Sequence, residues 1–153
     1  MKHEALLAPE AIILDLSAAD ADGVLRELTE GLVRVQPAFD PHAETIRTAL
    51  AEREARGSTG SLGVAIPHVR LPELEHQAMV LGIHQEGVDF AALDGEPVHV
   101  FFAVVGGETQ AEEHLQVLRW IAGIAQHPDF VSFARQASSV EQVLELLKEL
   151  APA

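Results

Sequence analysis

The stretch VHVFFAVV, from Val98 to Val105, constrains the fold more than any other part of the chain. Successive side chains of a strand point to opposite faces, so a strand with one wet face alternates apolar and polar residues. A run that is apolar at nearly every position reads instead as a central strand covered on both sides, the habit of α/β proteins. The covering layers must be helices, and the rest of the chain supplies them. Val24, Leu25, Leu28, Leu32 and Val35 form one helical stripe between Asp20 and Val35, and Pro37 ends it. In DPHAETIRTALAEREARG, Asp40 is placed to cap a helix, Pro41 suits its first position and Gly57 its exit, with Ile46, Ala49 and Leu50 facing inward. Leu115, Leu118, Ile121, Ala122 and Ala125 mark a helix from Ala111 to Gln126, broken by His127-Pro128. A short helix follows from Asp129 to Gln136, and Ser139 with Gln142 reads as a capping box that opens the last one.

The other strand-like segments are SLGVAI (61–66) and AMVLGIH (78–84). AIILDL (11–16) reads as a strand or as an extension leading into the first helix, and EGVDFAALDGEP as turn chemistry in which Asp89, Phe90, Asp94 and Gly95 are structural. Helices before, between and after strands predict an α/β fold, a single-domain sandwich with a central mixed β-sheet flanked by helices on both sides. The 153 residues suit one domain, 1–153, without internal repeat or linker. Aromatics make up only 5%, so the core is expected to be mostly Leu, Val, Ile and Ala, with Trp120 as packing.

Several functions are disfavoured. The chain has no cysteine, hence no disulfide framework, thiolate metal site or cysteine nucleophile. MKHEALLAPEAIILDLS carries charges and Pro9 where a signal peptide needs an apolar segment, and no run approaches the roughly 18 apolar residues of a membrane span. A soluble, cytoplasmic protein is expected. The net charge of −14 argues against nucleic acid and anionic membranes and suits a basic protein partner. Phosphate-loop, HExxH and GxSxG patterns are missing. The chain has eight histidines, but no two are spaced to share a helix face, so neither metal nor cofactor is expected. His3, His42, His76, His84, His99 and His127 are expected to face solvent or sheet edges.

His68 differs by context. In STGSLGVAIPHVR (58–70) an apolar run drives into Pro67, which has no backbone donor and ends strand pairing, and His68 follows at once. Strand ends of open α/β sheets are where ligands bind, although a structural histidine fits the local pattern as well.

Three blocks, in order, decide between these readings. AEREARGSTGSLGVAIPHVR is similar to an ERE-x-x-x-STG…IAIPH block, EGVDFAALDGEPVHVFFAVV to a G-(I/V)-D-F-x-A-L-D-G-x-P-V segment with its apolar strand, and EEHLQVLRWIAGI to an x-E-H-L-x-x-L helix. Together they resemble the enzyme IIA domain of the fructose/mannitol type in the bacterial sugar phosphotransferase system, including its nitrogen-regulatory branch. Val69 stands where that family commonly has glycine. The resemblance implies a histidine phosphotransferase. His68 would accept a phosphoryl group from the phosphocarrier protein HPr and pass it to a sugar-specific IIB domain or module. In the regulatory branch, phosphorylation would instead control contacts with other proteins. By the same resemblance Arg53 and His114 belong to the catalytic site, with Ser58 and Thr59 as phosphate-binding donors. A neutral imidazole is a nucleophile near pH 7, and in-line phosphoryl transfer needs mainly positioning and charge stabilisation.

Overall fold

The computed structural model describes residues 7–151. Strand β1 (Ile12–Ile13) leads to helices α1 (Ala21–Val35) and α2 (Ala43–Ala55). Strands β2 (Val64–Ala65), β3 (His68–Leu71), β4 (Ala78–Val88) and β5 (Val98–Gly107) follow, then helices α3 (Ala111–Ala125), α4 (Phe130–Gln136) and α5 (Val140–Leu150). The strands form one mixed sheet in the order β1-β4-β5-β2, with β3 also on β5. Among the described strands β4 and β5 pair antiparallel; β1 runs parallel to β4, and both β2 and β3 run parallel to β5.

Residues 98–105 occupy the middle of that sheet, and all but His99 are buried. Side-chain parity shows what covers each face. Val80 pairs with Ala103, and on their side Gly31 of α1 packs against Val80. Leu81 pairs with Phe102, and Phe102 stacks on Phe130 of α4 with ring centroids 5.9 Å apart. α1 and α4 therefore lie on opposite faces, α2 packs with α1, and α3 and α5 pack with α4. This is the expected sandwich. Asp20 caps α1 by accepting from the Gly23 amide at 2.8 Å.

Local expectations needed correction. Asp40 does not cap α2 with its side chain. Pro37–His42 forms a 3₁₀ turn containing Pro41, and the Asp40 main-chain carbonyl receives the Ala43 amide as α2 begins. The capping box at Ser139 is half formed, since the hydroxyl accepts from the Gln142 amide while the Gln142 side chain reaches the Ser138 amide instead. The predicted strand 61–66 shrinks to two residues. Leu62 and Gly63 take φ of +57° and +80°, and Ser61 and Val64 exchange hydrogen bonds across them, a tight primed turn rather than extended chain. AMVLGIH continues past His84 to Val88 through an irregularity between Ile83 and Val88. His84 is buried rather than at the surface, with Nε2 2.8 Å from the Ala18 carbonyl and Nδ1 accepting from the Gly87 amide. His3 lies outside the described residues.

The correction that matters for function is at Pro67. Strand β2 does stop short of it, at Ala65, but pairing resumes at His68. Ala65 pairs with Phe101 and His68 with Val104, so both segments keep one register along β5 and the ladder merely skips a step. The Pro67 carbonyl still accepts from the Val104 amide at 2.9 Å. Proline lacks only the donor, and at a sheet edge one missing donor is tolerated.

Candidate functional site

Because β3 resumes after the proline, His68 is the first residue of an edge strand rather than the end of one. It shares a face with Val104 and Phe102, the face carrying α3 and α4, and Arg70 two residues on takes the same side. α2 packs along the other flank of β3. His68 consequently borders two clefts. One, of about 710 Å³, is lined by Glu52 and Arg53 of α2, by Arg56 just past its end, and by His68 and Arg70 of β3. The other, of about 490 Å³, lies between β3 and the start of α3, with Ala111, His114, Leu115 and Leu118 along its wall. In a chain of net charge −14, three arginines around one histidine make a locally favourable place for an anion.

The imidazole of His68 is oriented by its own backbone. Nδ1 lies 2.5 Å from the Ile66 carbonyl oxygen, which can only accept. Nδ1 must therefore hold a proton, and in the neutral ring the lone pair is on Nε2. The ring of His114 is 5.8 Å away, centroid to centroid, tilted by 51°. His114 was expected near the start of a long helix; it sits in the first turn of α3 but is buried, only 5% exposed, with its Nδ1 enclosed and unbonded. Burial, then the positive charge that His68 can carry, then Arg70 push its pKa down from 6.5 to about 4. His114 is thus a neutral group beside His68 at ordinary pH.

Arg53 shares the α2 cleft with His68. One of its guanidinium N–H groups donates to the Gly57 carbonyl at 2.8 Å, which braces the side chain and leaves further donors in the fork. Ser58 and Thr59 lie close by, but their hydroxyl protons are committed to protein. Ser58 donates to the Phe90 carbonyl at 2.9 Å, tying the loop to the β4–β5 connection. Thr59 donates to Glu54 Oε2 at 2.8 Å and accepts from the Ile66 amide at 3.0 Å. Asp94 accepts from the amides of Leu62 and Glu96, the turn role expected of it.

Sequence reasoning missed Arg70, which borders both clefts and forms a surface ion pair with Glu108 at 3.4 Å. The signal was available, since His68 and Arg70 stand two apart and would share a face of any strand. A strand that stops at Pro67 hides it, because a shared face then has no strand to carry it. Among the described residues no group of three histidine or acidic side chains is placed to hold a metal ion.

A family model described as "Phosphoenolpyruvate-dependent sugar phosphotransferase system, EIIA 2" matches residues 5–150. The chain belongs to this family. Relatives within the EIIA 2 range fall on both sides of its functional divide. A "Nitrogen regulatory protein" of Pseudomonas aeruginosa is 33% identical over 98% of this chain and 97% of its own. The "PTS system fructose-specific EIIABC component" of Bacillus subtilis is 26% identical over 97% of this chain, which spans only 23% of that protein. In three dimensions the EIIA 2 fold is matched by the nitrogen regulatory protein IIA-Ntr of Neisseria meningitidis, with a TM-score of 0.85, 28% identity, and coverage of 96% of this chain and 99% of that one.

Proposed function

We propose that this protein is a cytoplasmic phosphoryl carrier in which His68 is the acceptor. The observation that carries the reading is the bond between Nδ1 of His68 and the Ile66 carbonyl, which leaves Nε2 as the nucleophilic nitrogen in a cleft rich in arginine. The donor is HPr, as the resemblance implies. The Nε2 lone pair forms a new N–P bond in line as the donor's bond to phosphorus breaks, and that bond's electron pair leaves with the donor. The proton stays on Nδ1 and is donated to the Ile66 carbonyl oxygen, which offsets part of the positive charge gained by the ring. Arg53 stabilises the equatorial oxygens. His114 is neutral, so it can donate a hydrogen bond without presenting a competing cation. The clefts beside His68 are open rather than enclosed by a lid, as a group passed between two proteins requires. The phosphoryl group then moves to a IIB partner by the reverse of the same step.

A second reading is favoured by the 33% identity to the Pseudomonas nitrogen regulatory protein over almost the whole of both chains. Here the phosphate does not go on to a sugar, and its presence on His68 controls contacts with other proteins. The first test is common to both. Incubation with enzyme I, HPr and phosphoenolpyruvate is expected to add one acid-labile phosphate, and His68→Ala to abolish it. Labelling that survives in that variant refutes the assignment. Onward transfer to a IIB module then separates transport from regulation.

A further inference from the structure

We propose that Glu54 and Thr59 are positioning residues that fix the tautomer and aim of the His68 imidazole through the backbone of Ile66. The inference deepens the phosphoacceptor reading and rests on it. It starts from the interrupted edge strand. In the parallel ladder the Pro67 carbonyl points toward β5, where it meets the Val104 amide. Backbone groups alternate in direction along a strand, so the N–H and C=O of Ile66 point the other way, to the free edge. No strand satisfies them there, and half-buried polar groups need partners.

Two side chains provide them. The Ile66 amide donates to Thr59 Oγ1 at 3.0 Å, and the Ile66 carbonyl receives Nδ1–H of His68 at 2.5 Å. Thr59 is itself clamped, since its amide donates to Glu54 Oε1 at 2.9 Å and its hydroxyl to Glu54 Oε2 at 2.8 Å. A carboxylate only accepts, so the hydroxyl proton has one direction and the oxygen's lone pair is left for Ile66. The chain of bonds therefore has a fixed polarity from Glu54 to His68. Its position supports the case, because Glu54 lies in the last turn of α2, where the helix dipole disfavours a carboxylate. Arg53, its neighbour, reaches the His68 cleft from the same turn. One helix end thus supplies both the phosphate-facing cation and the anchor of the acceptor's orientation. Loss of the anchor frees Ile66 to turn. The imidazole can then adopt the Nε2–H tautomer, which has no lone pair on Nε2.

The test uses the full chain labelled with ¹⁵N-histidine. Long-range ¹H–¹⁵N correlations report the His68 tautomer without any phosphoryl donor, and the rate of phosphate uptake from phospho-HPr is measured in parallel across pH. The unsubstituted protein is expected to show His68 as the Nδ1–H form. Glu54→Gln and Thr59→Val are expected to show mixed tautomers and uptake slowed about 10- to 100-fold, the range for a lost orienting partner. Thr59→Ser, which restores the hydroxyl, is expected to recover the tautomer and most of the rate lost by Thr59→Val. A pure Nδ1–H tautomer with undiminished rate in Glu54→Gln overturns the inference, and that variant keeps it testable where Thr59→Val does not fold. Mixed tautomers in the unsubstituted protein overturn it as well. Phosphate uptake surviving in His68→Ala overturns the phosphoacceptor reading, a failure visible whatever the tautomers show.

Discussion

Replacing His114 by glutamine is expected to change how stability depends on pH, and the size of the effect follows from the site. Unfolded, His114 titrates near 6.5; folded, burial, His68 and Arg70 lower that to about 4. Below pH 6.5 the unfolded chain binds a proton here that the folded chain refuses. Stability therefore falls as pH falls through this window and levels off below the folded pKa. Integrated to pH 5 the loss from this one group is about 2 kcal/mol, with a limit of about 3 kcal/mol at lower pH, on the order of 1.4 kcal/mol per pKa unit. Urea unfolding at pH 7 and pH 5, on the parent protein and on His114→Gln, isolates the effect. The carboxylates titrate in both proteins and cancel in the double difference. The parent is expected to lose about 2 kcal/mol more than the variant over this interval. Parallel losses would show that His114 takes up its proton at the ordinary pH when folded, and so would an NMR titration of His114 with a midpoint near 6.5. Either result removes the argument that a neutral donor stands beside the acceptor.

Other expectations follow from the same geometry. Phosphorylation of His68 replaces a potential cation by a dianion next to His114, so the His114 midpoint in an NMR titration is expected to move up. Arg53→Ala is expected to slow phosphate uptake by roughly 10²-fold while leaving circular dichroism unchanged, the scale of losing one key charge-stabilising donor; an unaltered rate would restrict Arg53 to bracing Gly57. Arg70→Ala removes one of the positive charges that depress His114 and is expected to raise its midpoint, with a smaller effect than burial, the first cause. Leu62 is 65% exposed and held at φ +57° in the turn before β2, so Leu62→Asn, which creates the preferred pair with Gly63, is expected to raise Tm by about 2 °C; a lower Tm would give the exposed leucine a packing role.

The layered fold was legible because one run of residues allowed little else. Val98–Val105 had to be covered on both faces, and only helices remained to cover it. Elements resting on a single local cue were less legible. Ser61–Ile66 looks extended, but Leu62 accepts a positive φ beside Gly63, a conformation that branched or bulky side chains disfavour and that no propensity would assign to leucine. Asp40 has the chemistry of a cap, yet Pro41 is accommodated in a 3₁₀ turn, so the helix begins later and the main chain does the capping. His84 reads as a polar end to a strand, but β4 continues and folds it inward, where both ring nitrogens find backbone partners.

The candidate site shows the same division more sharply. The family resemblance pointed to His68, Arg53 and His114, and the structure brings His68 beside His114 and into one cleft with Arg53. What the sequence hid is which backbone groups face outward at Pro67. A proline reads as a stop because its missing donor breaks a ladder, and that holds on a central strand, where both edges are in use. On an edge strand the missing donor costs one bond, and the register carries through from Ala65 to His68. The proline then does something a stop could not. It keeps the chain extended, so that alternation along the edge turns the groups of Ile66 outward, to Thr59 and His68. His68 is thereby fastened to a strand at one end and oriented by a carbonyl that no described neighbouring strand competes for. Arg70, on the same face two residues later, follows from that continuity and from nothing in the composition around it.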